Sequence, residues 1–308
     1  MMNKINKIAV LGGTGFVGRR VCEKLSQLNI QVTVPTRNIN PSHYLHSLQQ
    51  VKLVACDVHD SMALQSALKG HDAVVNLVAV LHGNETKFEH VHVELPRNIA
   101  HACQQENINR LVHVSALGAT QDAPSMYQRS KARGEAVLQS AGLDLTILRP
   151  SVIFGEEDKF LNLFARLQKI FPVMPLAGAT TKFQPVWVND VAQAVVQCLL
   201  QEPTVDNTVI EACGPDVYTL KELVQFSASA AGIAQGKGRP VWALPSLLGQ
   251  LQAWTMGLMP GEPLMSLDNF NSMKVDNISQ GHLPSLSSIG ITPHKMSTIV
   301  TSYLGKQK

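Results

Sequence analysis

Tyr127 and Lys131, in Tyr127-Gln128-Arg129-Ser130-Lys131, stand four residues apart, which places both on one face of a helix. An ammonium beside a phenol favours the phenolate and draws a pKa of about 10 towards the range useful for proton transfer. A surface tyrosine and lysine are the competing reading. The position, one loop after a β-rich run ending in Val114-Ser115, favours the functional one. A second cluster is Gly12-Gly13-Thr14-Gly15-Phe16-Val17-Gly18, between the apolar run Ile8–Leu11 and an amphipathic stretch from Phe16 to Leu28. There Gly12 permits a tight turn, Gly15 lets backbone approach a pyrophosphate on a helix N-terminus, and Gly18 lets helix and strand pack closely. The pattern predicts dinucleotide binding, against the alternative of a purely structural turn.

The next β-rich run separates the two dinucleotides. An NAD site usually places a carboxylate about 20 residues on, to hold the ribose hydroxyls. Val32-Thr33-Val34-Pro35-Thr36-Arg37-Asn38 has none, and Arg37 stands where a 2′-phosphate would sit. A guanidinium fork suits that dianion, so NADP(H) is expected over NAD(H). A solvated surface arginine is the other reading.

These residues need a frame. Ile8–Leu11, Gln31–Val34, Val51–Ala55, Ala73–Val80, Arg110–Val114 and Leu143–Leu148 read as buried strands. Helical patterns run over Phe16–Leu28, Phe88–Gln105 and Ser125–Ser140. Non-alternating strands separated by helices predict an α/β fold, a doubly wound parallel sheet of the Rossmann type. Beyond Pro150 we expect a helix over Phe160–Ile170, a Pro/Gly loop to Thr181, a short strand at Gln184–Val188 and a helix Val191–Gln201 opened by Asn189-Asp190. A strand at Thr208–Ala212 and a capping box at Thr219-Leu220-Lys221-Glu222 follow. We divide the chain into a nucleotide domain, 1–212, with 155–181 on the substrate side, and a small, mostly helical cap, 213–308.

Composition narrows the function. Of 308 residues, 45% are apolar and 16% charged, so a packed core is expected and disorder is not. A formal charge of +3, from scattered basic residues, gives no footprint for nucleic acid. The five cysteines form no C-x-x-C pair, which argues against a disulfide framework or a zinc site and for reduced, cytoplasmic thiols. His43/His46 and His90/His92 have no converging carboxylates or thiolates in the pattern, so no metal is expected. Ser115 lacks a G-x-S-x-G elbow. The basic N-terminus is followed by too short an apolar run for a signal peptide.

With the glycine motif and Tyr127-x-x-x-Lys131, the stretches Ala73–Ala79, Ile147-Leu148-Arg149-Pro150-Ser151-Val152-Ile153-Phe154-Gly155 and Gln184–Ala192 resemble the extended short-chain dehydrogenase/reductases. Val114–Ala119, Phe160-Leu161-Asn162, Gly214–Leu220 and Met259-Pro260-Gly261-Glu262-Pro263-Leu264 are similar to an atypical subgroup, that of the 39 kDa subunit of respiratory complex I and its bacterial relatives. The resemblance implies that Gly12, Thr14, Gly15, Phe16 and Val17 meet the pyrophosphate. It places Arg37 at the adenosine phosphate, Asp57 and Val58 beside the adenine, and Val78 and Ala79 beside a ribose. Lys131 would hold the nicotinamide ribose, Pro150, Ser151 and Val152 would face the nicotinamide, and Tyr127 would exchange the proton. Two departures stand out: the usual Ser/Thr position is Leu117, with Ser115 two residues early, and His92 stands in place of a supporting Asn.

Two functions follow as expectations. One is an NADP(H)-dependent oxidoreductase acting on an apolar carbonyl or quinone-like molecule, with Tyr127, Lys131 and Ser115 at the reacting end. The other is a nucleotide-holding structural or assembly protein of a respiratory system. No charge occurs between Arg239 and Glu262. Within it Leu247, Leu248, Leu251, Trp254 and Leu258 fall on one helical stripe. Either the stripe packs over the substrate cleft as cap core, or residues 241–259 stay exposed and dock on a membrane or a respiratory partner. The protein is thus expected in the cytoplasm, or peripheral to the inner face of the membrane.

Overall fold

The computed structural model describes residues 5–40, 44–200, 208–257 and 265–304, with 253–257 as backbone only. Its frame is a seven-stranded, wholly parallel sheet. The strands are β1 (Lys7–Leu11), β2 (Gln31–Thr36), β3 (Val51–Ala55), β4 (Ala73–Asn76), β5 (Arg110–Val114), β6 (Asp144–Pro150) and the edge strand Thr208–Ala212. Their order is edge strand, β6, β5, β4, β1, β2, β3. The order reverses between β1 and β4, so the crevice expected to take a ligand opens at the carboxyl end of β1.

Both sheet faces are buried, which explains the apolar runs without alternation. Ile8 and Val10 point into one core with Val21, Cys22 and Leu25 of α1 (Phe16–Gln27). Ala9 and Leu11 point into the other, with Leu64 and Leu68 of α2 (Ser61–Leu68). Gly18 lies between helix and sheet: a Cβ there would come within 2.2 Å of the Gly12 carbonyl oxygen, so only glycine allows this approach.

The expected helix Phe88–Gln105 is instead α3 (Glu85–Glu89), a π-turn (His90–Glu94) and α4 (Leu95–Gln105). Pro96 explains the break. It has no N–H to give the His92 carbonyl in the i→i−4 register, and the Leu95 N–H bonds the His90 carbonyl one residue further back. The strand expected over Ala73–Val80 stops at Asn76, whose side chain turns back to accept the Val78 amide. α5 (Met126–Gln139) carries Tyr127 and Lys131.

Beyond the sheet come α6 (Leu161–Ile170), α7 (Val188–Leu200), α8 (Leu220–Ala230), α9 (Ser246–Gly257), α10 (Leu267–Ser272) and α11 (Met296–Leu304). α7 starts earlier than expected. Asn189 and Asp190 are inside it, and the Asp190 carboxylate accepts from the amide and Nδ1 of His294 rather than capping its own helix. The capping box of α8 forms as read: Thr219 Oγ1 accepts the Glu222 amide and Glu222 accepts the Thr219 amide. The loop before Thr181 contains a strand, Met174–Leu176, paired in parallel with Val241–Ala243.

The described leucines of the stripe do not pack inward. Leu247, Leu248 and Leu251 are exposed, and α9 instead buries Gly249 against Ala177 and Phe270. The Trp254 side chain, Leu258 and Met259, and the Met259–Leu264 motif, lie outside the described residues.

Candidate functional site

The glycine turn fits a pyrophosphate. Gly12 has φ +79°, the left-handed conformation that a side chain would strain. Gly15, the N-cap of α1, is exposed, and a Cβ there would meet only the Gly12 carbonyl, at 3.2 Å. No side chain caps α1 and its first turn has no acid, so the Phe16 and Val17 amides and the helix dipole face outward. Thr14 is half-buried in the same turn, and the Phe16 ring borders Gly155.

The remaining residues gather along the carboxyl edge of the sheet. Arg37 follows β2, Asp57 and Val58 follow β3, Val78 and Ala79 follow β4, Ser115 follows β5, and Pro150, Ser151 and Val152 close β6. Arg37 and Asp57 are exposed, and both charges act on His59. His59 stacks on His90, with ring centroids 4.1 Å apart.

Lys131 is only 1% exposed, and its Nζ donates to the Val114 carbonyl at 2.9 Å. Burial draws its pKa down to about 8, opposed by the charge of Glu135. Glu135 is itself held by Arg149 through Nε (3.0 Å) and Nη2 (2.5 Å). Tyr127 lies edge-on to His92 and Phe88, at 5.5 and 6.1 Å between ring centroids. Its pKa is pushed up to about 12 by burial. The expected lowering of the phenol is therefore reversed, because Lys131 is bonded to backbone and desolvation acts on Tyr127 unopposed.

His92 is fixed in one tautomer. Its Nε2 accepts the Val80 amide (3.2 Å), so Nδ1 carries the hydrogen donated to Ser130 Oγ (2.8 Å), and Ser130 donates on to the Tyr127 carbonyl. Burial, then the Lys131 charge, draws its pKa down to about 3. His92 thus braces the backbone beneath Tyr127 and makes no hydrogen bond to Lys131. Gly134 makes the approach of α5 to the π-turn feasible: a Cβ there would stand 1.9 Å from the His92 carbonyl oxygen.

Ser115 is 5% exposed, and its Oγ has no hydrogen-bond partner among the described residues. A buried hydroxyl without a partner is costly, which fits a polar group arriving at this point. Ser151 differs: its hydroxyl is engaged with Asn277 Oδ1 (2.6 Å) and the Gln184 amide (3.2 Å), so only backbone is offered there. Sequence reasoning missed Asn277, which also donates to the Leu117 carbonyl, and Asp268 of α10, which accepts the Met126 and Tyr127 amides. Neither lies near a recognisable motif. The Glu135–Arg149 pair was equally hidden, since it joins a helix to a strand 14 residues on.

The family model described as NAD(P)H-binding matches residues 12–202. NADH dehydrogenase [ubiquinone] 1 alpha subcomplex subunit 9, mitochondrial, of Mus musculus is 32% identical over 295 residues, covering 92% of this chain and 76% of the relative. Ceramide reductase of Caulobacter vibrioides is 27% identical over 227 residues, covering 73% and 70%. Among solved structures, the dTDP-glucose 4,6-dehydratase DesIV of Streptomyces venezuelae, with NAD bound, superposes with a TM-score of 0.74 over 97% of this chain and 95% of that one. At 18% identity that likeness concerns the fold.

Proposed function

The chain belongs to the NAD(P)H-binding short-chain dehydrogenase/reductase superfamily, in the group of the complex I alpha subcomplex subunit 9, and from that premise we propose an NADP(H)-dependent reductase of an apolar carbonyl or quinone-like molecule. Two relatives bear the names of lipid-soluble molecules, ubiquinone and ceramide, which supports an apolar substrate class. Arg37, and the absence of a carboxylate at the end of β2, support NADP(H) over NAD(H).

The observation that carries the reading is Tyr127 and Lys131 on α5, with Lys131 Nζ buried at the end of β5. The nicotinamide, when bound, supplies the hydride. Tyr127, kept neutral by burial, carries the proton that an oxygen gaining negative charge would take. Lys131, drawn down to about 8, still carries its charge near neutral pH and would hold the nicotinamide ribose. Ser115 offers its unpartnered hydroxyl on the same edge, and Ser130 and His92 hold the backbone of α5 in place.

A second reading is a nucleotide-holding component of a respiratory assembly, in which the cofactor stabilises the fold. Leu117 in place of a hydroxyl residue favours it, as does the bond of Lys131 to Val114 rather than to Tyr127. The two separate on NADPH oxidation by the purified protein with long-chain ketones and short-chain quinones. Turnover abolished by Tyr127→Phe supports the reductase; nucleotide binding with no turnover across the series supports the assembly role.

A further inference from the structure

Ile170 and Phe171 at the end of α6, Trp242 on the strand Val241–Ala243, and Leu247, Leu248 and Leu251 on α9 are all exposed, Trp242 by 68% and Leu247 by 80%. Tertiary contacts bring these elements together. Trp242 pairs in register with Pro175, a few residues beyond Phe171, and Gln252 Nε2 of α9 donates to the Pro175 carbonyl. The bare Gly249 fastens α9 to Ala177 and Phe270, which leaves its leucines turned outward. Among the described helices none is long and apolar enough to cross a membrane.

Charge decides between the occupants. No Asp or Glu occurs between Asp158 and Asp190, nor between Glu222 and Glu262. The two segments that build the face therefore bring only cations: Arg166 and Lys169 on α6, and Lys237 and Arg239 before the strand. Arg239 is anchored at the end of α6, its amide and Nε donating to Gln168. The cations of 237–239 thus stand beside those of α6. Exposed Trp and Leu beside Lys and Arg, with no acid in either segment that builds the face, match a bilayer interface with anionic headgroups. A second copy of this chain would oppose the same cations to themselves.

We propose that this face docks the protein peripherally on an anionic lipid bilayer, the apolar side chains entering the headgroup boundary and the four cations meeting phosphate. The surface is independent of the reading given to the nucleotide site.

Flotation of the full-length protein with vesicles of phosphatidylcholine alone, and of phosphatidylcholine with phosphatidylglycerol, tests it. Binding should appear on the anionic vesicles, with a blue shift of tryptophan emission lost in Trp242→Ala. Removing a single charge, Lys169→Gln or Lys237→Gln, should weaken binding about fivefold, and the pair more. Leu247→Gln with Leu251→Gln should abolish it. All these positions are exposed, so an unchanged thermal melt and unchanged nucleotide binding establish that each variant is folded. Failure to float with anionic vesicles overturns the proposal, as does flotation that none of the variants alters. Self-association in sedimentation that Trp242→Ala abolishes also overturns it, in favour of a second copy.

Discussion

Asp268 accepts the backbone amides of Tyr127 (2.9 Å) and Met126 (2.6 Å), so a residue 141 positions downstream caps the helix that carries the phenol. Ser125, the N-cap itself, takes the Gln128 amide. Every amide of the first turn is thereby satisfied, two of them by a carboxylate placed favourably at the positive end of the helix dipole. Loss of an N-terminal cap costs about 0.5–2 kcal/mol. Asp268→Ala should lower the melting temperature by a few degrees and lower turnover while leaving NADPH affinity in place, because the glycine turn lies on another helix. Unaltered turnover in Asp268→Ala would show that the cap serves stability alone.

Tyr127→Phe removes the proton donor and keeps the ring against His92 and Phe88. Removing a general acid typically costs about 10²–10⁴-fold. Nucleotide affinity, read by NADPH fluorescence, should be unchanged, while single-turnover oxidation of NADPH falls by that range.

Arg37 is exposed and follows β2. A charge-assisted hydrogen bond to a 2′-phosphate contributes about 1.5–3 kcal/mol, on the order of tenfold to a hundredfold in affinity. Arg37→Ala should weaken NADPH binding by that factor and leave NADH binding unchanged. Equal losses for both nucleotides would place Arg37 outside the adenosine end.

His92 sets an acid limit on stability. Its pKa is drawn down to about 3 in the folded chain, against an ordinary value of 6.5. Above pH 6.5 the imidazole is neutral in both states and stability is fully present. Below it the unfolded chain takes up a proton that the folded chain refuses, so stability falls by up to about 1.4 kcal/mol per pH unit, down to about pH 3. The buried His113, also shifted downward by desolvation, adds to the slope. Urea midpoints between pH 7 and pH 4 (roughly the span of this linkage) should fall steadily in the parent protein and less steeply in His92→Gln. Parallel slopes would assign the acid sensitivity to other groups.

Gly134→Ala inserts a methyl 1.9 Å from the His92 carbonyl oxygen. Overpacking of this kind costs about 1–3 kcal/mol, and calorimetry should show it. The same substitution at Gly70, where a Cβ would meet nothing within 4 Å but φ is +71°, should act through backbone strain alone and cost less.

The order of residues alone dictates the parallel sheet, because strands buried on both faces must be apolar, and Ile8–Leu11 and Ala73–Val75 are. It also determined the glycine turn, since Gly12 and Gly18 answer local needs, a left-handed φ and a close helix–strand approach. Tyr127 and Lys131 were legible because their spacing lies within one helix. The electrostatics arise only once the chain has folded. Whether Lys131 lowers Tyr127 depends on what else Nζ can reach, and the Val114 carbonyl comes from β5. Asp268, Asn277 and the Arg149–Glu135 pair meet their partners across long stretches of chain, and no periodicity records such meetings. The direction faced by 241–251 was likewise undecidable from its stripe. A run of leucines at helical spacing is the same pattern whether it faces core or water, and here the burial of Gly249 against Phe270 turns the leucines outward. The cations beside that face come from α6 and from the turn before the strand, so a segment with no charge of its own acquires a basic border only when the chain folds.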